Sequence, residues 1–165
     1  MIMNQSSLKL QQSTAAKITR IKLSGHIDED ANYTTLKIND MDEIHFDFEG
    51  ITLINSTGIQ KWIKFLREVP ATTRVFFEKC PIKLVHQLNL FPGFTADKSV
   101  SITSFFAPYF CDCNEKSHDI LLTTKIHFAS GKEFSPPVIN CPTCKQAMEF
   151  DAIEKKYFLF LKRKN

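Results

Sequence analysis

Glu49-Gly50-Ile51-Thr52-Leu53-Ile54-Asn55-Ser56-Thr57-Gly58-Ile59 is the stretch from which the rest of the chain is read. An apolar segment delivers the chain to a helix whose first turn carries hydroxyls and a glycine. Free backbone N–H groups and the positive end of the helix dipole favour an anion at such a terminus. A hydroxyl there is a natural N-cap, and Thr57-x-x-Gln60 fits the capping-box pattern. The same hydroxyl is also a place where a phosphate is tolerated, or where it repels a partner that needs a neutral surface.

Working outward, Ile59, Trp62, Ile63, Leu66 and Val69 recur at spacings of three and four and predict a helix closed by Pro70. Upstream, Ile44-His45-Phe46-Asp47-Phe48 alternates with period two and predicts a strand. Leu8–Leu10 and Ile18–Leu23 read as two strands joined by a polar turn at Gln12-Ser13-Thr14, and Glu29 to Ile38 as a weak helix. Arg74–Phe77 reads as a short buried strand, Pro81 opens a helix through Leu84, Val85 and Leu88, Pro92-Gly93 ends it, and Val100–Thr103 is a further strand. The expected order is β-β-α-β-α-β-α-β, an α/β fold with helices over a mixed sheet. A boundary near Phe105 to Pro108 separates a first domain, 1–105, from a second, 106–165.

Four of the five cysteines fall in the second domain as two close pairs, Cys111-Asp112-Cys113 and Cys141-Pro142-Thr143-Cys144. No secretory core is visible in Met1 to Leu10, so the expected location is the cytoplasm, where thiols stay reduced and such pairs read as a metal site. The Cys-x-x-Cys pair has zinc-knuckle spacing. The other pair is one residue short, so His118 or His127 stands as an alternative ligand to one of its sulfurs. Strand-like runs at Ile120–Thr123 and Lys125–Phe128 join the knuckles and predict a small zinc ribbon holding one structural Zn2+. A catalytic zinc needs an open position beside a general base, and Glu115 and Glu133 have nothing to set them apart from surface carboxylates. Asp151 to Leu161 predicts a terminal helix, or a strand at its Phe158–Leu161 end. Its apolar residues have three destinations: the ribbon, the first sheet, or a homodimer face.

Composition narrows the function classes. Hydrophobic residues make up 43% and charged residues 24%, ordinary for a globular protein, and no run approaches a membrane span. A net charge of +3 gives no argument for nucleic acid. Lys162-Arg163-Lys164 is a small basic tail, and acids interleave the lysines of the second domain. No nucleophile–base pair or phosphate-cradling glycine loop appears, and His26, His45 and His86 are scattered, so no enzyme is expected.

Taken together, Leu23-Ser24-Gly25-His26-Ile27-Asp28, Ile44 to Phe48 and Ile54-Asn55-Ser56-Thr57-Gly58-Ile59 resemble the STAS domain family, typified by bacterial anti-sigma-factor antagonists. The likeness covers roughly Leu8 to Phe105. It implies a STAS-like mixed β-sheet with helices, to which the zinc ribbon is an addition. It also implies a signalling module that binds an anti-sigma factor with a serine/threonine-kinase-like domain. Thr57 matches the family's phosphorylated position, and Ser56 the serine before it. Asp28 matches the acidic residue at the partner-facing strand end, and Asp47 the buried-strand Asp. Asp28, Asn55, Ser56 and Gly58 are thereby implied in partner binding. The family's Asp is Asn55 here, an amide in place of a carboxylate. A zinc-ribbon adaptor touching nucleic acid or transcription machinery, with the first domain as scaffold, is the alternative reading.

Overall fold

A computed structural model describes residues 7–113, 115–128 and 134–162. Five strands form the first sheet, in the order β1-β2-β3-β4-β5. They are β1 Lys9–Ala15, β2 Ile18–Ile27, β3 Glu43–Ile54, β4 Arg74–Glu78 and β5 Val100–Ile102. The first two are antiparallel, and each later strand runs parallel to its neighbour. The expected mixed α/β sheet is therefore present, with the apolar alternation of Ile44, Phe46 and Phe48 turned to the buried face of its central strand.

The hairpin turn lies at Ala16–Lys17, both with positive φ as a two-residue type I′ connection requires. The turn expected at Gln12-Ser13-Thr14 is strand instead. Polar residues are satisfied there as an edge strand: the Gln12 amide donates to the Thr19 hydroxyl (3.0 Å) and Lys37 carbonyl (2.7 Å), and Thr14 and Thr19 hydroxyls meet at 2.9 Å.

Between β2 and β3 the expected weak helix at Glu29 to Ile38 is irregular chain. Asp28 Oδ1 accepts from Asp30 N–H (3.0 Å), and Asn32 Oδ1 from Thr34 N–H (2.9 Å). These local bonds offer the backbone an alternative to the helical ladder. Ala31, Tyr33 and Ile38 are nevertheless buried, and Tyr33 stacks on Phe65 with centroids 4.6 Å apart. Helix α1, Ser56–Glu68, lays Ile59, Trp62, Phe65 and Leu66 on the sheet. Trp62 is fully buried among Phe46, Phe48, Phe77 and Phe94, and its indole N–H donates to the Phe94 carbonyl at 3.1 Å. Helix α2, Ile82–Leu90, follows β4 and buries Leu84, Val85 and Leu88; a 3-10 turn at Pro92–Thr95 leads into β5.

Strand β6, Ser104–Cys111, runs without interruption through Phe105–Pro108 and is central in a second sheet. It pairs antiparallel with β7, Lys116–Thr123, and with the two-residue β8, Glu149–Phe150. Cys80, two residues past β4, bridges to Phe105, which ties the two sheets together. Lys125–Phe128, expected as a strand, falls instead on a helical turn, α3 Thr124–His127. The Thr124 hydroxyl anchors it to the Ile102 carbonyl (3.0 Å), and the Thr123 N–H donates to His127 Nδ1 (2.9 Å). Near the C-terminus two helical turns, α4 Glu154–Tyr157 and α5 Leu159–Lys162, bury Tyr157, Phe158 and Phe160. These aromatics pack on Phe105, Phe128 and Phe150 of the second sheet's side of the molecule. The Asn89 side chain clasps both turns, donating to the Tyr157 carbonyl and accepting from the Phe160 N–H, each at 2.8 Å. Among the described residues no helix is long and apolar enough to cross a membrane.

Candidate functional site

Two places collect the residues singled out from sequence. The first is the edge where β3 hands over to α1. Asn55 is the N-cap: its Oδ1 accepts the Gly58 N–H at 2.8 Å, and its own N–H donates to the Ile27 carbonyl at 3.1 Å. The capping role expected of a hydroxyl, with Thr57 opening a capping box, thus belongs to Asn55 two residues earlier. Thr57 is the second residue of the helix and Ser56 the first. Both are exposed, and among the described residues no hydrogen bond engages either hydroxyl.

Gly58 explains why the helix starts there. A Cβ at this position would stand 1.9 Å from the Ile27 carbonyl oxygen and 2.5 Å from the Asp28 nitrogen. Only a bare Cα lets the first turn of α1 touch the end of β2. Gly58 is buried, so its part in this edge is close packing. That contact brings Asp28 and Thr57 to one edge of the sheet. Asp28 is occupied with its own neighbourhood: besides the Asp30 N–H it meets the Ser7 hydroxyl at 3.3 Å and His26 Nδ1 at 3.5 Å.

Sequence reading missed the carboxylate that reaches Asn55. Glu29 Oε2 accepts from Asn55 Nδ2 at 2.7 Å, and this bond is the chief reason its carboxyl is held below the ordinary range. The Lys61 ammonium closes the arrangement by donating to the Glu29 and Ala31 carbonyls. Lys83 of α2 donates to the Thr52 carbonyl, and Leu53 between Thr52 and Asn55 is 40% exposed. The edge therefore offers two free hydroxyls, one apolar side chain and a fixed carboxylate. Nothing in the sequence signals Glu29, because its position follows from the irregular 28–42 connection.

Asp47 is not at this edge. It alternates with Phe46 and Phe48 onto the opposite, open face, pairing with Lys79 at 3.2 Å and accepting the Glu49 N–H at 3.0 Å. His45 on the same face is held between Glu78 (2.6 Å) and Glu43 (3.0 Å) and stacks on Phe76 at 4.5 Å. It is a satisfied structural histidine.

The second place is the cysteine cluster. Cys111 ends β6, Cys113 lies in the turn before β7, and Cys141 and Cys144 sit on a tight turn. All four sulfurs lie within 4.8 Å of one another. Cys141 N–H donates to the Gln146 carbonyl (2.8 Å), Lys145 N–H returns to the Cys141 carbonyl (2.9 Å), and Lys145 takes a positive φ to close the turn. The Thr143 N–H points at Cys141 Sγ (3.4 Å). Backbone N–H groups of Cys144 and Thr143 hold the Cys141 thiol down, to about 6. Four convergent sulfurs with knuckle N–H groups turned toward one of them fit a four-coordinate metal ion. Among the described residues the cluster gathers the four cysteines and neither histidine: the His127 ring is bonded to Thr123, and His118 of β7 stands opposite Tyr109 of β6. Glu115 is exposed in the turn; Glu133 lies outside the described residues, as do Arg163 and Lys164 of the basic tail.

No protein-family model matches the sequence, and no curated protein matches it. Among solved structures, the crystal structure of an anti-sigma factor antagonist from Mycobacterium paratuberculosis is similar to this chain. Identity is 14%, the TM-score 0.45, and the match covers 58% of this chain and 86% of the other.

Proposed function

We propose that this chain is a non-enzymatic signalling module that docks a regulatory protein on the edge formed by Asp28, Asn55, Ser56, Thr57 and Leu53, with Thr57 as a phosphorylation switch. The partner class is an anti-sigma factor with a serine/threonine-kinase-like domain, taken from the STAS-like sequence elements. The observation that carries this reading is Thr57 itself: an exposed hydroxyl, spared from capping by Asn55, on the first turn of a helix. A phosphate there adds about −1.5 to −2 charges to the docking edge. The helix terminus tolerates that charge, whereas an acidic or apolar partner face does not.

The four cysteines hold one structural Zn2+ in this reading. Thiolates in a closed four-sulfur set leave no position for a reacting water. The ion's role is to hold the short connections of the second sheet in place. The cytoplasm, where these thiols stay reduced, is the compartment that suits it.

The test is capture of partners from a cell extract with full-length protein, followed by phosphopeptide mass spectrometry of what is bound. Thr57→Glu abolishes capture of a kinase-type partner without changing the melting temperature, and Thr57→Ala retains it. Equal capture by both variants rejects the switch.

A further inference from the structure

Within the sulfur cluster one pair stands apart. Cys111 and Cys113 Sγ atoms are 3.0 Å apart, against 3.6 Å for Cys111–Cys144 and 4.0 Å for Cys113–Cys141. Four sulfurs at the usual zinc distance of about 2.3 Å stand about 3.8 Å from each other in a tetrahedron. The one-residue gap therefore brings these two sulfurs closer to each other than either is to its partner across the cluster. Exposure separates them further: Cys141 is fully buried and Cys111 nearly so, whereas Cys113 is open to solvent. Asp112 between them lies in a turn rather than in the strand.

We propose that Cys113 and Cys111 form an oxidation site for a small hydroperoxide, with loss of the metal as its consequence. This rests on reading the cluster as a zinc site. Metal-bound cysteines are already thiolates, the form that attacks peroxide. Cys113 sulfur attacks one peroxide oxygen; the O–O bond breaks, an S–O bond forms, and the leaving hydroxide takes a proton to become water. Cys111 sulfur then displaces the remaining oxygen, which leaves as a second water, and the S–S bond forms. Two thiolates lose two electrons in all, and one hydrogen peroxide, with two protons from solvent, becomes two waters. Cys141 and Cys144 alone do not hold the ion, which is released.

The structural consequence follows from the metal's place among the ties of the knuckle to β6. The others are the Tyr109 hydroxyl bond to the Pro137 carbonyl (2.8 Å), the edge-on contact of the Tyr109 and Phe150 rings, the Asp151 N–H bond to the Pro108 carbonyl (2.9 Å) and the two residue pairs of β8. Losing the metal loosens residues 134–150 and uncovers the β6 face they pack on. Cys80 is fully buried, apart from the cluster, and takes no part.

The experiment uses zinc-loaded full-length protein and hydrogen peroxide. Zinc release is followed with the chelating dye 4-(2-pyridylazo)resorcinol, and the sulfurs are mapped by peptide mass spectrometry. The expected result is release of the bound zinc together with a Cys111–Cys113 disulfide, both reversed by dithiothreitol and added zinc, and both unchanged in Cys80→Ala. Zinc kept at a peroxide level that oxidises free cysteine overturns the oxidation site and leaves the zinc reading standing. Release with a Cys141–Cys144 disulfide overturns the assignment of the pair. A chain that takes up no zinc at all overturns both readings.

Discussion

Asn55 donates its side-chain N–H to the Glu29 carboxylate over 2.7 Å while the other end of the same amide caps α1 through the Gly58 N–H. A carboxylate at position 55 keeps the cap but has no proton for Glu29. The amide at position 55 thus does what a carboxylate there could not.

The first prediction follows from that pair. A group whose folded-state pKa is depressed, as Glu29's is, contributes stability above its unfolded value and loses it as pH falls through the folded one. Asn55→Asp removes the donor and sets two carboxylates face to face, which reverses the sign: Glu29 then titrates upward, and the variant is weakest where both acids are ionised. The gap in melting temperature between Asn55→Asp and the parent should be widest near about pH 7 and close toward about pH 4, as both carboxyls protonate. Asn55→Asp/Glu29→Gln should narrow the gap at neutral pH. A gap independent of pH defeats this account. Asn55→Ala, which removes the cap outright, should cost about 0.5–2 kcal/mol.

Gly58→Ala tests the junction of α1 and β2. Its methyl group meets the Ile27 carbonyl oxygen at 1.9 Å and the Asp28 nitrogen at 2.5 Å, both backbone atoms, so the helix itself must move. The expected loss is about 3 kcal/mol, the upper end for overpacking, read as a lower urea midpoint. Ser56→Ala, at an exposed neighbour, should stay within about 0.5 kcal/mol of the parent. Similar midpoints for the two variants are incompatible with the close approach.

What could be read from sequence is what is written in buried periodicity. Ile44-Phe46-Phe48 and the Ile59–Trp62–Leu66 stripe each place one apolar face, and the structure uses both. The Cys-x-x-Cys knuckle was legible because its spacing is local. Whether a histidine replaced a sulfur was not, since that depends on the β6–β7 register, which sets Cys111 against Lys116 and His118 against Tyr109. Local polar chemistry misled in both directions. Gln12 and Thr14 mimic a turn but are satisfied across an edge strand, whereas Asp28 and Asn32 sit in a stretch of helix-like spacing and bond their own backbone instead. The choice between Asn55 and Thr57 as the cap is set by the packing of Gly58 on Ile27, a contact between residues distant in sequence.

On the open face of the sheet, Glu43 is held below the ordinary carboxylate range, chiefly by its hydrogen bond from His45 and then by the charge of Arg74. His45→Ala should therefore raise the Glu43 titration midpoint, followed by NMR of its side-chain carboxyl carbon. Arg74→Ala should raise it less, because the hydrogen bond from His45 remains. The reverse order would mean that His45 is only stacked on Phe76 and does not donate to Glu43.

The single tryptophan gives a way to separate the two sheets in the intact protein. Trp62 is fully buried between α1 and the first sheet and bonded to the Phe94 carbonyl, whereas Tyr109 and Cys111 lie on β6 of the second sheet with the other three clustered cysteines on its turns. If the metal holds only the knuckle and its surroundings, a strong chelator should strip one ion per chain by elemental analysis and open residues 134–150 to limited proteolysis. Trp62 emission should stay at its buried wavelength throughout. Cys141→Ser should behave like the chelated protein, since its sulfur is the one the knuckle N–H groups converge on. The opposite result is also physically meaningful: Cys80 bridges to Phe105, and Asn89 clasps the C-terminal turns, so strain has a route between the sheets. A red shift of Trp62 emission at the chelator concentration that removes the metal would show that this route carries the unfolding, and that the ion stabilises the whole chain rather than one part of it.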